Sequence, residues 1–129
     1  MATTNDGNSI LAIDDEYDIV NIIKLFLQNH GFKVSIFIDP YTALEHFVSN
    51  SQDYHIVISD IRMPSMNGYE FVKQVKGIKL QVKIILMTSF EVKDKEFSNV
   101  LPNVKIDAFI QKPFSLKILK NIVQKHAYN

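Results

Sequence analysis

Five short apolar runs, each followed by a stretch with helical periodicity, limit what this chain can fold into. SILAI (9–13), HIVIS (55–59) and VKIILM (82–87) are apolar almost throughout, the pattern of strands buried on both faces. KVSIFI (33–38) and VKIDAFI (104–110) alternate instead, the pattern of strands with one covered face. Between them lie helical signatures. Apolar residues at 19, 22, 23, 26 and 27 mark one face of a first helix, ended by Gly31. Asp39-Pro40 opens a second, with Ala43, Leu44, Phe47 and Val48 inward. Asn67 with Glu70 resembles a capping box ahead of Phe71, Val72 and Val75. A weaker signal covers about 91–101, and Ser115 caps a last helix with Leu119, Ile122 and Val123 inward.

Strands alternating with crossover helices predict a parallel sheet covered on both faces. The apolar strands one, three and four belong at its centre and the alternating strands two and five at its edges. That fits the order 2-1-3-4-5, a flavodoxin-like doubly wound (βα)5 three-layer α/β sandwich. Residues 1–8 read as a flexible tail and 9–129 as one domain. Lysine plus arginine equals aspartate plus glutamate at 14 each, which argues against a general nucleic-acid binder. There is no cysteine, hence no disulfide framework, and no apolar run of membrane-spanning length. The four histidines show no metal-ligand spacing and read as ordinary surface or strand-end residues. The expectation is a cytoplasmic protein.

In a doubly wound sheet, ligands bind beyond the carboxyl ends of the strands. There the sequence places Asp14-Asp15 after strand one, Asp60 after strand three, Thr88-Ser89 after strand four and Lys112-Pro113 after strand five. Three carboxylates at one rim repel one another and raise their own pKa values. A hard divalent cation relieves this, and Mg²⁺ takes one or two carboxylates, waters and phosphate oxygens. With a lysine for an anion and a threonine hydroxyl, the set suits phosphoryl transfer, with Asp60 as nucleophile.

The same residues carry a family resemblance. ILAIDDE (10–16), SDIRMPSMNG (59–68), MTS (87–89) and KPF (112–114) occur in order on the expected elements. Across about residues 8–126 the chain resembles a response-regulator receiver domain, chemotaxis-regulator-like, the phosphoacceptor of two-component signalling. The resemblance implies that Asp60 accepts a phosphoryl group from the phosphohistidine of a sensor histidine kinase or phosphotransfer protein. It implies that Asp14, Asp15, Asp60 and the backbone carbonyl of Arg62 hold Mg²⁺, with Mn²⁺ able to substitute. Lys112 then pairs with Asp60 in the off state and with the phosphoryl group in the on state. Thr88 moves towards the phosphoryl oxygen, and Phe109 occupies the aromatic switch position. The Lys112-Pro113 bond is often cis in the family. The implied job is signalling and not metabolic turnover, although the domain assists its own phosphorylation and dephosphorylation. The output surface is the 91–101 helix, strand five and the last helix, read by a downstream protein. The resemblance admits a phosphorylation-dependent homodimer, and it implies no direct binding to nucleic acid or membrane.

Singly, these residues have ordinary explanations. Asp14 and Asp15 can be N-caps, with Asp15 able to cap and bind metal at once. Asp60 can cap a loop, Lys112 can be solvated, and Thr88 and Phe109 can be structural. All would have to hold together at one rim. An aspartyl-phosphate phosphatase wants a second acid two residues after the nucleophile, where this chain has Arg62. A flavodoxin-type carrier wants a phosphate loop where this chain has DDEYD. The nearest rival is a degenerate receiver that binds partners without phosphorylation, but such domains usually lack an acid or the lysine. Three departures from the common receiver pattern stand out. Arg62 and Phe90 flank the site and are expected to slow loss of the phosphoryl group by restricting water. NVKIDAF replaces a common Gly-Ala pair, which with Pro102 predicts a short or mobile fourth helix and an atypical junction to strand five.

Overall fold

The structure, a computed structural model, describes residues 8–89 and 104–127. Five parallel strands form one sheet in the order β2-β1-β3-β4-β5. They are β1 (Ser9–Ile13), β2 (Lys33–Phe37), β3 (Ile56–Asp60), β4 (Lys83–Thr88) and β5 (Ala108–Gln111). The helices are α1 (Tyr17–Gln28), α2 (Pro40–Asn50), α3 (Gly68–Ile78) and α4 (Leu116–His126), with a short 3-10 turn at Ser51–Asp53. The strands expected at the centre are central and the alternating ones are edges. Residues 1–7 of the expected tail and the 91–101 helix with its Pro102 lie outside the described residues, as does Phe90, while the Asn8 carbonyl accepts the Lys33 amide at 2.7 Å.

Each strand sends alternate residues to opposite layers. Leu11, Ile13, Val57, Ile84 and Leu86 pack with Phe47 of α2 and Phe71, Val72 and Val75 of α3. Ile10, Ala12, Ile56, Ile58, Ile85 and Met87 pack with Ile23 and Leu27 of α1 and Leu119 and Val123 of α4. This double burial explains why β1, β3 and β4 show no polar alternation.

Helix starts follow the sequence signals closely. The Asp39 carboxylate accepts from the Thr42 amide at 2.9 Å ahead of Pro40, and the Ser115 hydroxyl accepts from the Ile118 amide at 3.0 Å. Asn67 accepts from the Glu70 amide at 2.9 Å, while Glu70 turns its carboxylate to Gln74 at 3.0 Å, so Asn67 caps α3 without Glu70 answering it. Gly31, at φ 91, takes the left-handed conformation that ends α1.

Some expectations are corrected. Ile22 and Val48 are exposed, at 50% and 63%, because each lies at the margin of its helix's apolar stripe. His46 is half-buried, its Nε2 2.6 Å from the Tyr54 hydroxyl, and is no ordinary surface residue. The ladder of β5 starts at Ala108 and not at 104. The reason is Asp107: its Oδ2 accepts the Ile84 amide at 2.8 Å while its own amide donates to the Ile84 carbonyl at 2.9 Å. A side chain there does the work of a backbone rung.

Candidate functional site

Asp14 follows directly on β1 and is fully buried. Its two oxygens have separate tasks. Oδ1 accepts the Glu16 amide at 2.9 Å and turns the chain into α1. Oδ2 accepts from Lys112 Nζ at 2.7 Å. The N-cap of α1 is Glu16, so Asp15 does not cap and its carboxylate stands exposed at the rim. Asp60 is the last residue of β3, paired in register with Met87 of β4, and only 5% exposed. Ligand oxygens of Asp14, Asp15 and Asp60 all lie within 4.8 Å of one another.

Lys112 reaches the same place from beyond β5. Its amide donates to the Thr88 carbonyl at 2.6 Å, anchoring it to the end of β4, and its peptide bond to Pro113 is cis. Its ammonium sits 2.7 Å from Asp14 and 3.2 Å from Asp60. The expected partner in the resting site was Asp60, but Asp14 is the closer of the two. Burial opposes the lysine's charge, yet the hydrogen bond and charge of Asp14, with those of Asp60, outweigh it and raise its pKa. Asp60 shifts the other way. Burial, then the charge of Asp14, pushes its pKa up to about 6 despite the attraction of Lys112, and Asp15 adds to the rise.

This is a site with surplus negative charge: three carboxylates converge, and the ammonium that touches two of them does not bring Asp60 back to an ordinary value. An all-oxygen donor set with that surplus fits a hard divalent cation. Arg62 lies just past β3 with an exposed side chain, and with Asp15, Met63, Pro64 and Asn67 it lines an open depression of about 370 Å³.

Thr88 ends β4 and is buried. By strand parity it shares the α2–α3 face of the sheet with Leu86, and Leu86 is the register partner of Phe109. Phe109 is half-buried and packs on that same layer. Thr88 and Phe109 therefore belong to one side of the sheet, while Asp14 and Asp60 continue the parity of the other.

Two residues at this site were not singled out from sequence. Gly68 read as a turn residue. In fact a Cβ there would lie 2.2 Å from the Asp60 carbonyl oxygen, so α3 starts against the backbone of β3. Ser59 is a fully buried hydroxyl in the middle of the sheet. Its signal was visible as the one polar residue ahead of Asp60 in an otherwise apolar strand.

A family model described as the response regulator receiver domain matches residues 10–124. The chain belongs to the response regulator receiver family. This receiver domain is 34% identical over 107 residues to the response regulator SaeR of Staphylococcus aureus, covering 82% of this chain and 44% of that protein. The chain thus spans less than half the length of the curated relatives it matches. Among solved structures, it is 31% identical to the response regulator protein TrrA from Thermotoga maritima, with a TM-score of 0.77, covering 92% of this chain and 97% of that one. That structure is a complex with Mg(2+)-BeF. The chemotaxis protein CheY4 of Vibrio cholerae is 27% identical with a TM-score of 0.79, again over 92% and 97% of the two chains. As a receiver domain the chain is a phosphoacceptor module of two-component signalling, and the family binds Mg²⁺ at an acidic site. No helix among the described residues is long and apolar enough to cross a membrane.

Proposed function

We propose that this receiver domain takes a phosphoryl group onto Asp60 from a phosphohistidine of a sensor histidine kinase or phosphotransfer protein. The observation that carries this reading is the convergence of the three carboxylates with Lys112. One carboxylate oxygen of Asp60 attacks phosphorus in line, the P–N bond to histidine breaks, and the electron pair leaves with the imidazole nitrogen. The ionised form of Asp60 is the nucleophile, and in the metal-free site it predominates above about pH 6.

Asp14, Asp15, Asp60 and the Arg62 carbonyl would hold Mg²⁺, or Mn²⁺ in its place, which supplies charge neutralisation for the phosphoryl oxygens. Lys112 is already within reach of Asp60, so a modest movement carries its ammonium from carboxylate to phosphoryl oxygen. Thr88 gains a hydrogen bond only in the phosphorylated state, and that differential contact biases the loop after β4. Phe109, on the same face of the sheet, follows by packing alone because it lacks a hydroxyl. The surface bounded by β5 and α4 then changes, and a downstream protein reads it. The same site returns Asp60 to its resting state by hydrolysis. A groove of about 460 Å³ beside Lys112, lined by Ile19, Ile22, Ile23, Phe114 and Leu116, suits the apolar face of a donor protein.

Intact-mass analysis after incubation with Mg²⁺ and phosphoramidate tests the reading. One added phosphoryl group, lost on omission of Mg²⁺, supports it; an unmodified mass under every Mg²⁺ condition favours a receiver that acts without phosphorylation.

A further inference from the structure

Ser59 stands out among the residues of β3. Its register partners are Ile13 and Leu86, and it has no solvent exposure. A hydroxyl in such a place is costly unless it is hydrogen-bonded. It donates at 2.8 Å to the backbone carbonyl of its neighbour, Asp60. That carbonyl sits in a confined spot, because the Cα of Gly68 packs so closely that a Cβ there would be 2.2 Å from the oxygen and 2.8 Å from Ile61 Cα. The other end of the same peptide unit is also held: the Ile61 amide donates to the Met87 carbonyl at 3.0 Å. One residue on, the Gly68 amide donates to the Ile61 carbonyl at 2.7 Å.

The peptide unit joining Asp60 to Ile61 is thus fixed at its oxygen by Ser59, at its N–H by β4, and on its flank by Gly68. The Asp60 carboxylate hangs from one end of this unit, and the chain leading to the Arg62 carbonyl leaves from the other. We infer that Ser59 is a positioning residue for the phosphoacceptor. Its buried hydroxyl locks the 60–61 peptide plane and so aims the Asp60 carboxylate and the 62 carbonyl at a common point. This rests on the proposed role of Asp60 and adds a residue that touches neither metal nor phosphoryl group. The competing explanation is steric: position 59 needs a small residue because α3 begins close by.

The two explanations order the variants oppositely. If the hydroxyl matters, Ser59→Ala in the full chain weakens Mg²⁺ binding about tenfold, the usual cost of losing a partner that orients a ligand, while Ser59→Thr stays nearer the parent. If only size matters, Ala is silent and Thr is damaging. Mg²⁺ affinity is read by calorimetry, and the Ile61 amide resonance in metal-free protein reports the peptide plane directly. Ser59→Ala is expected to shift that resonance as well as to lose affinity. Gly68→Ala presses on the same peptide from the other side with Ser59 intact, and should reproduce both effects; Ser59→Cys, close in size but a weak donor, takes the place of Ser59→Ala should that variant fold poorly. Parent-like Mg²⁺ affinity in Ser59→Ala, or in Ser59→Cys when Ser59→Ala cannot be studied, overturns the inference. A parent that neither binds Mg²⁺ nor accepts a phosphoryl group instead refutes the role proposed for Asp60.

Discussion

Lys112 lies closer to Asp14 than to Asp60: its Nζ is 2.7 Å from Asp14 Oδ2 and 3.2 Å from Asp60 Oδ1. Asp14 is fully buried, so without the lysine its charge would face Asp60 with no cation in contact. Lys112→Ala is expected to destabilise the metal-free protein at neutral pH by about 3 kcal/mol, the lower end of the usual cost of orphaning a buried charge. Mg²⁺ should recover much of that loss. Urea denaturation monitored by circular dichroism, with and without Mg²⁺, checks both halves.

The raised pKa of Asp60 gives a signed dependence on pH. Its folded value, about 6, lies above the ordinary 3.8, so the folded state holds this proton more tightly than the unfolded chain does. The stabilisation is complete below 3.8 and is lost as pH rises through about 6. That difference corresponds to on the order of 2–3 kcal/mol. Asp60→Asn should lack this slope and be the more stable protein at neutral pH when no metal is present. Because metal ligands must be ionised, Mg²⁺ affinity should rise across the same window in the parent. Calorimetric titrations at several pH values measure it.

Asp107 replaces a backbone rung with its carboxylate, which has 3% exposure and accepts the Ile84 amide. Asp107→Ala leaves that amide without its partner and should cost about 2 kcal/mol. Asp107→Asn keeps an acceptor oxygen and should lose less than half as much. Urea midpoints of the two variants distinguish them, and equal losses would show that charge and not the acceptor matters.

Phe109 is half-buried against the α2–α3 layer and does not reach the carboxylates through a hydroxyl. Phe109→Ala should therefore be phosphorylated at a rate within about twofold of the parent, while a stability loss of about 1–2 kcal/mol reports its lost packing. Hydrogen exchange of β5 and α4, compared before and after phosphorylation, should show a change in the parent that shrinks in the variant. Loss of phosphorylation itself would place Phe109 in the phosphoacceptor chemistry.

Much of this was legible from residue patterns because a parallel sheet writes its topology into its strands. Double burial leaves SILAI and HIVIS without polar alternation, and the edges KVSIFI and VKIDAFI show it. The convergence of Asp14, Asp15, Asp60 and Lys112 came from topology alone. What escaped depends on three-dimensional detail. Periodicity shows that α1 has an apolar stripe but not that Ile22 falls outside the covered part. The pairing of Lys112 with Asp14 joins residues 98 positions apart, and no local pattern specifies it. Asp107 delays the start of the β5 ladder through a side-chain bond that mimics backbone pairing. Gly68 looks like any turn glycine until the Asp60 carbonyl is seen beside it.

The most direct test of the central claim locates the phosphoryl group. After incubation with Mg²⁺ and phosphoramidate, borohydride reduction converts an aspartyl phosphate to homoserine, and tandem mass spectrometry of the peptide spanning 55–68 identifies the residue. Homoserine at position 60, with none in Asp60→Asn, is the expected result. A phosphorylated protein whose reduced residue lies elsewhere, or whose Asp60→Asn variant is labelled equally, would contradict Asp60 as the phosphoacceptor.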